Sequence, residues 1–257
     1  MREDERPMDT GKQLYLDLMK RCLTNLIYQD RSSLLGKDLA FDLRNRVEGR
    51  DWPANAHTMI GIHRLDNLHF CVEDVLARKV PGDLMETGVW RGGAAILMRA
   101  ILKANGVTDR RVWCADSFEG LPPPDPAKYP LDANLTFNEF KELAVSLEEV
   151  QTNFRRYNLL DDQVRFLKGW FRDTLPAAPV ERLAVLRLDG DLYESTMDAL
   201  TALYPKVSRG GYVIVDDYND IPACRQAVQD YWQRHGIREE IMPIDWSGVF
   251  WMKQGKG

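Results

Sequence analysis

The sequence predicts an α/β fold on a mainly parallel sheet, and three observations predict it. From Pro81-Gly82 onward, short apolar runs alternate with segments of helical period, the pattern of βαβ units. Those runs stop abruptly at glycine or aspartate, as strands do where an open sheet binds ligands at their carboxyl ends. Before Pro81 the pattern is helical alone. Residues 1–80 therefore read as a helical extension and residues 81–257 as the core, within one structural domain overall.

Taken in order, residues 1–10 are charged and expected to fray. From Gln13 to Tyr28, Leu14, Leu18, Cys22 and Leu26 repeat every four residues and predict an amphipathic helix. Arg31–Asp51 is mixed, a loop or short helix. Trp52–Gly61 is an apolar connector into a second helix through Leu65, Leu68, Val72, Val75 and Leu76. The core then predicts strands at Asp83–Thr87, Arg111–Ala115, Val164–Leu167, Leu183–Leu188 and Gly211–Val215. Helices are expected over Gly93–Asn105, Phe137–Tyr157, Ser195–Tyr204 and Ala223–Gln233. Leu121–Pro130 carries five prolines and reads as an extended surface loop. Arg238–Ile244 and Val249–Lys253 close the sheet as an antiparallel pair, which brings the count to seven strands.

Composition narrows the function. The chain is 44% hydrophobic and 28% charged, ample for a core, and its net charge of −5 does not suggest a nucleic-acid surface. No apolar run approaches the roughly 18–20 residues of a membrane span. Met1–Lys12 lacks the apolar stretch of a secretory signal. Cys22, Cys71, Cys114 and Cys224 have no paired spacing, which favours reduced thiols in a cytoplasmic protein. His57, His63 and His69 recur every six residues, a spacing that a helix spreads around its circumference, so a three-histidine metal site is not expected. The apolar N-terminal helices offer a surface to a second copy, hence a possible homodimer.

Two sites carry chemistry. Glu86-Thr87-Gly88-Val89-Trp90-Arg91-Gly92-Gly93 joins the first strand to its helix, and its glycines let a backbone approach a ligand closely. The spacing is neither the dinucleotide nor the phosphate-loop pattern, and no lysine is present for phosphates. A cationic nucleoside, S-adenosyl-L-methionine, suits it; the plain alternative is a tight turn with no ligand. Asp116, with Ser117 after it, ends the second strand where such folds hold ribose hydroxyls. Trp170, beyond the third strand, is placed to border the adenine or the acceptor, or simply to pack. Asp189, Asp191, Asp216 and Asp217 end two neighbouring strands about 4.8 Å apart, so they can share one hard cation, with Mg2+ the best match. A strand ending in Asp-Gly-Asp also suits a glycosyltransferase, but that reading leaves the Glu86 loop and the second acidic pair unexplained.

Five separated motifs together resemble the macrocin-type sugar O-methyltransferases: Trp52–Ile60 with Arg64-Leu65-Asp66-Asn67-Leu68, Glu86-Thr87-Gly88, Asp116–Pro122, Leu188–Ser195 and Val215–Tyr218. That family acts on deoxysugars of macrolide and aminocoumarin antibiotics, and this chain looks closest to members that methylate the noviose 4-hydroxyl of novobiocin-type aminocoumarins. The resemblance implies a class I methyltransferase fold, S-adenosyl-L-methionine, a divalent metal and a glycosylated small molecule as substrate. It puts the cofactor against Glu86, Thr87, Gly88, Arg91, Gly92, Asp116, Ser117, Trp170 and Asp189, and the metal on Asp189, Asp216 and Asp217. Thr58, Met59 and Ile60 would close over the methionine end as part of a helical lid. Asp191 is the expected general base, since no histidine or lysine adjoins the aspartates; Asp189 is the alternative.

Overall fold

The computed structural model describes residues 10–255. Seven strands form its one sheet: β1 (Asp83–Thr87), β2 (Val112–Asp116), β3 (Val164–Lys168), β4 (Leu183–Leu188), β5 (Val207–Val215), β6 (Met242–Pro243) and β7 (Val249–Met252). They lie in the order β3-β2-β1-β4-β5-β7-β6. The first five are parallel and β7 runs antiparallel to both of its neighbours. The order reverses between β1 and β4, the switch point at which open sheets part their connecting loops and make a crevice.

The described residues form eight helices, most of them packed on the two faces of the sheet: α1 (Gly11–Leu23), α2 (Leu43–Glu48), α3 (Gly61–Ala77), α4 (Gly93–Ala104), α5 (Leu147–Arg156), α6 (Phe171–Thr174), α7 (Tyr193–Leu203) and α8 (Pro222–His235). Alternation along the strands decides which face each residue serves. Leu84, Cys114, Val164, Tyr212 and Ile214 bury against α1, α3, α4 and α5. Met85, Trp113, Leu186, Val213 and Trp251 bury against α7 and α8. All six residues of β4 are buried, as expected of a central strand covered on both sides. Helices α1 and α3 share one buried cluster with the sheet, so the N-terminal extension packs into the core.

Three expectations are corrected. The helix expected over Phe137–Tyr157 is only α5. It starts late because Ser146 caps it, its hydroxyl accepting from the Glu149 N–H at 3.2 Å. Upstream, the chain makes short 3-10 turns at Pro130–Asp132, Phe137–Glu139 and Lys141–Leu143. Helix α1 stops at Leu23 rather than Tyr28, and Asn25 turns into the left-handed region just beyond it. Its buried face is Leu16, Met19 and Leu23, whereas Leu14 and Leu18 of the expected stripe are 58% and 52% exposed. The expectations for residues 1–9 lie outside the described residues. Among the described residues no helix is long and apolar enough to cross a membrane, and all four cysteines are unbridged.

Candidate active site

The loops leaving the carboxyl ends of the parallel strands enclose a cavity of roughly 510 Å³, a volume suited to a small-molecule ligand. Thr58, Met59, Ile60, Gly88, Asp116, Ser117, Trp170, Asp189, Asp191, Asp216 and Asp217 all line it, although they come from six separate segments.

The turn after β1 is built around Gly88, whose φ is +81° and whose N–H reaches the Ala115 carbonyl at 2.9 Å. A Cβ there would lie 1.6 Å from the Asp189 carbonyl oxygen, so no other residue fits. Asp116 accepts from the Val89 and Phe118 N–H groups, each at 2.7 Å, which fixes its carboxylate at the end of β2. Burial raises its pKa, opposed by those backbone donors. A carboxylate has about four acceptor positions, so capacity remains for the hydroxyls of a ligand.

Glu86, Thr87, Arg91 and Gly92 stand behind the cavity wall and do not line it. Their hydrogen bonds brace the segments that form that wall. Glu86 accepts from Arg187 Nη1 at 2.6 Å, and burial pushes its pKa up to about 8. Its other oxygen is buried without a partner. Thr87 directs its hydroxyl at the Arg187 carbonyl. Arg91 donates to the carbonyls of Pro53 and Ala56, both at 3.0 Å, and stacks on Trp90. It thereby grips the segment leading to Thr58. Gly92, at φ +88°, makes the N-terminal cap of α4.

The acids divide in an unexpected way. One carboxylate oxygen from each of Asp189, Asp191 and Asp217 lies within 4.8 Å of the other two. Asp216 is turned away into a buried ion-pair network, where Arg64 holds one of its oxygens and Arg187 the other. The expected ligands Asp189, Asp216 and Asp217 follow the adjoining strands β4 and β5, and the oxygens that converge here are those of Asp189, Asp191 and Asp217. Arg187 also holds Asp189 Oδ2 at 2.8 Å, and Arg64 reaches Asp245 at 3.0 Å. Burial is the main cause that holds Asp191 and Asp217 well above the ordinary carboxylate range, and the neighbouring acids add to it. Asp189 is raised too, chiefly by burial, against the pull of Arg187. Three crowded oxygen donors that resist ionisation together fit a hard divalent cation such as Mg2+.

The residues to which the sequence reading assigned no role are Arg64, Arg187 and Asp245. For Arg187 the signal was present: it is the one charge inside the apolar run Leu183–Leu188. A charge there survives only if paired, and the pairing acids end the strands on either side.

Strand order, glycine turn and β2 acid define a class I S-adenosylmethionine-dependent methyltransferase. More narrowly, the chain belongs to the macrocin-O-methyltransferase (TylF) family, which it matches over residues 12–253. It is 59% identical over 245 residues to the 8-demethyl-8-(2,3-dimethoxy-alpha-L-rhamnosyl)-tetracenomycin-C 4'-O-methyltransferase of Streptomyces olivaceus, covering 95% of this chain and 94% of the relative. Identity is 55% over 255 residues to the demethyldecarbamoylnovobiocin O-methyltransferase of Streptomyces niveus, covering 98% and 97%. The solved structure of the O-methyltransferase NovP superposes with a TM-score of 0.91 at 56% identity, covering 95% of this chain and 100% of that one. The chain is thus an O-methyltransferase, and the glycosyltransferase reading of Asp189-Gly190-Asp191 is set aside.

Proposed function

We propose that this enzyme transfers the methyl group of S-adenosyl-L-methionine to a deoxysugar hydroxyl of a glycosylated natural product, with Mg2+ as the assisting ion. The observation that carries the reading is the placing of Asp189, Asp191 and Asp217 on the wall of the cavity that Gly88 and Asp116 also line. Two relatives above half identity support the acceptor class, one of them acting at a rhamnosyl 4'-hydroxyl and one on a novobiocin precursor. The 4-hydroxyl of an aminocoumarin noviose is our leading acceptor.

The chemistry follows from what the residues do. An aliphatic hydroxyl is a poor nucleophile near neutral pH. A divalent cation would be held by Asp189 and Asp217 and would acidify a bound hydroxyl, which leaves Asp191 beside it as the proton acceptor. Asp191 accepts the hydroxyl proton as the oxygen attacks the methyl carbon, and the donor leaves as the neutral thioether. Arg187 and Arg64 hold the two oxygens of Asp216, and Arg187 also fixes Asp189 at the cavity wall. Asp116 and the Gly88 turn hold the nucleoside so that donor and acceptor meet in line.

The test is a methylation screen with S-adenosyl-L-methionine over noviose, rhamnose and macrolide deoxysugar glycosides, with Mg2+ and after chelation. Turnover on at least one glycoside, lost on chelation and restored by Mg2+, is the expected result. Undiminished turnover in chelator removes the metal from the reading, and no turnover on any glycoside removes the sugar.

A further inference from the structure

The segment between α1 and α2 has a feature that neither folding nor methyl transfer explains. Leu35 lies in the left-handed region, at φ 51° and ψ 40°, where a branched L residue is strained. It is 49% exposed and takes part in neither buried cluster of the described residues. A strained, exposed leucine gains nothing from the core. Its turn is nevertheless firmly held. Ser32 and Leu39 exchange backbone hydrogen bonds at 2.9 and 2.8 Å, and the Ser33 N–H reaches the Trp52 carbonyl at 2.7 Å. Trp52 is braced in turn, its ring edge-on to Phe140 at 5.3 Å.

Leu34 and Leu35 both line the active-site cavity, together with Trp52, Leu121, Pro122 and Phe137. The cavity wall thus has two chemistries. Its acids suit sugar hydroxyls and a cation, whereas this second surface is mainly apolar and gains by being covered. Backbone strain held rigid at the rim of a site is a sign of binding.

We infer that the turn 32–39 forms a subsite for the apolar aglycone of the acceptor glycoside, with Leu35 as a specificity-determining residue. The inference rests on the glycoside reading above. The sugar lies toward the acids while the aglycone covers Leu34, Leu35 and Trp52, in one continuous cavity.

The experiment compares methyl α-L-rhamnoside with 4-nitrophenyl α-L-rhamnoside in the wild type, Leu35→Gly and Leu35→Asp. Glycine adopts the left-handed backbone without strain, so Leu35→Gly removes the side chain and leaves the turn intact. We expect a KM about tenfold lower for the aryl glycoside in the wild type and parity in both variants. The readout is the ratio of the two KM values within each protein, and the thermal midpoint should not fall in Leu35→Gly. Retention of the aryl advantage in Leu35→Gly overturns the inference, as does its absence from the wild type. If neither rhamnoside is methylated, rhamnose is not the sugar accepted and binding of the neutral dye N-phenyl-1-naphthylamine decides, measured with S-adenosylhomocysteine at saturation. Dye bound by the wild type and lost in Leu35→Asp sustains the apolar subsite; equal binding, or none by the wild type, overturns it.

Discussion

Asp191 sits in the left-handed region at φ 57°, a conformation that aspartate tolerates better than most residues. That turn brings its carboxylate within 4.8 Å of the Asp189 and Asp217 oxygens. Asn has nearly the same shape but cannot take a proton. Asp191→Asn is therefore expected to lower kcat by about 10²–10⁴-fold while the affinity for S-adenosyl-L-methionine, measured by calorimetry, stays within a few-fold. Near wild-type turnover removes Asp191 as the base. Arg187 makes the complementary prediction. Its side chain is about 2% exposed and is shared by Glu86, Asp189 and Asp216. Arg187→Met takes this partner from Glu86 and Asp189 and leaves Asp216 with Arg64 alone, which costs about 3–5 kcal/mol in urea unfolding; a loss below about 1 kcal/mol contradicts the network. The four aspartates were legible in the sequence because acids at strand ends are a local pattern. Which of them turns away was not, because Arg64, which helps hold Asp216, is 152 residues distant in the chain.

At the scale of elements, four of the five parallel strands were legible to within a residue, since each is a short apolar run cut off by a polar turn. The other, β5, starts at Val207, four residues before the expected Gly211. The stretch 137–146 was not. Phe137 and Leu143 share apolar character with a helix face, yet both line the cavity, and Ser146 starts the helix instead. The connector Trp52–Gly61 read as unusually apolar, and the structure shows how it is fastened. The N–H groups of His57 and Thr58 both reach the Leu23 carbonyl, and the His57 carbonyl accepts from Gly93. The His57 ring meets Tyr157 of the α5 terminus, Nδ1 to hydroxyl at 2.7 Å. Burial, with Arg156 and Arg91 nearby, pushes its pKa down to about 4. In the unfolded chain the same ring titrates near pH 6.5. Its contribution to stability is thus complete above about pH 6.5 and is lost as pH falls toward 4. With screening allowed for the partly exposed ring, that loss is about 1–2 kcal/mol. His57→Gln should flatten the pH dependence of the thermal midpoint between those values, and an unchanged slope assigns the acid sensitivity elsewhere.

Over the whole molecule, the sequence-wide charge of −5 says little about the site, because the acids are concentrated there. Nine of the residues lining the cavity are acids, against three arginines, Arg50, Arg64 and Arg172. Arg64 is already committed to Asp216 and Asp245. A divalent cation on the acids adds two positive charges and leaves the wall acidic. A neutral glycoside feels little of this, whereas a sugar nucleotide carries a diphosphate into a like-charged enclosure, where such juxtaposition costs several kcal/mol. The enzyme should therefore act after glycosyl transfer and not on the activated sugar. We expect kcat/KM for a thymidine-diphosphate rhamnose to lie about 100-fold or more below that for an aryl rhamnoside at low salt. The gap should narrow as ionic strength rises, because salt screens the repulsion at the cavity mouth. Equal values for the two acceptors, or a gap indifferent to salt, show that charge does not select the acceptor.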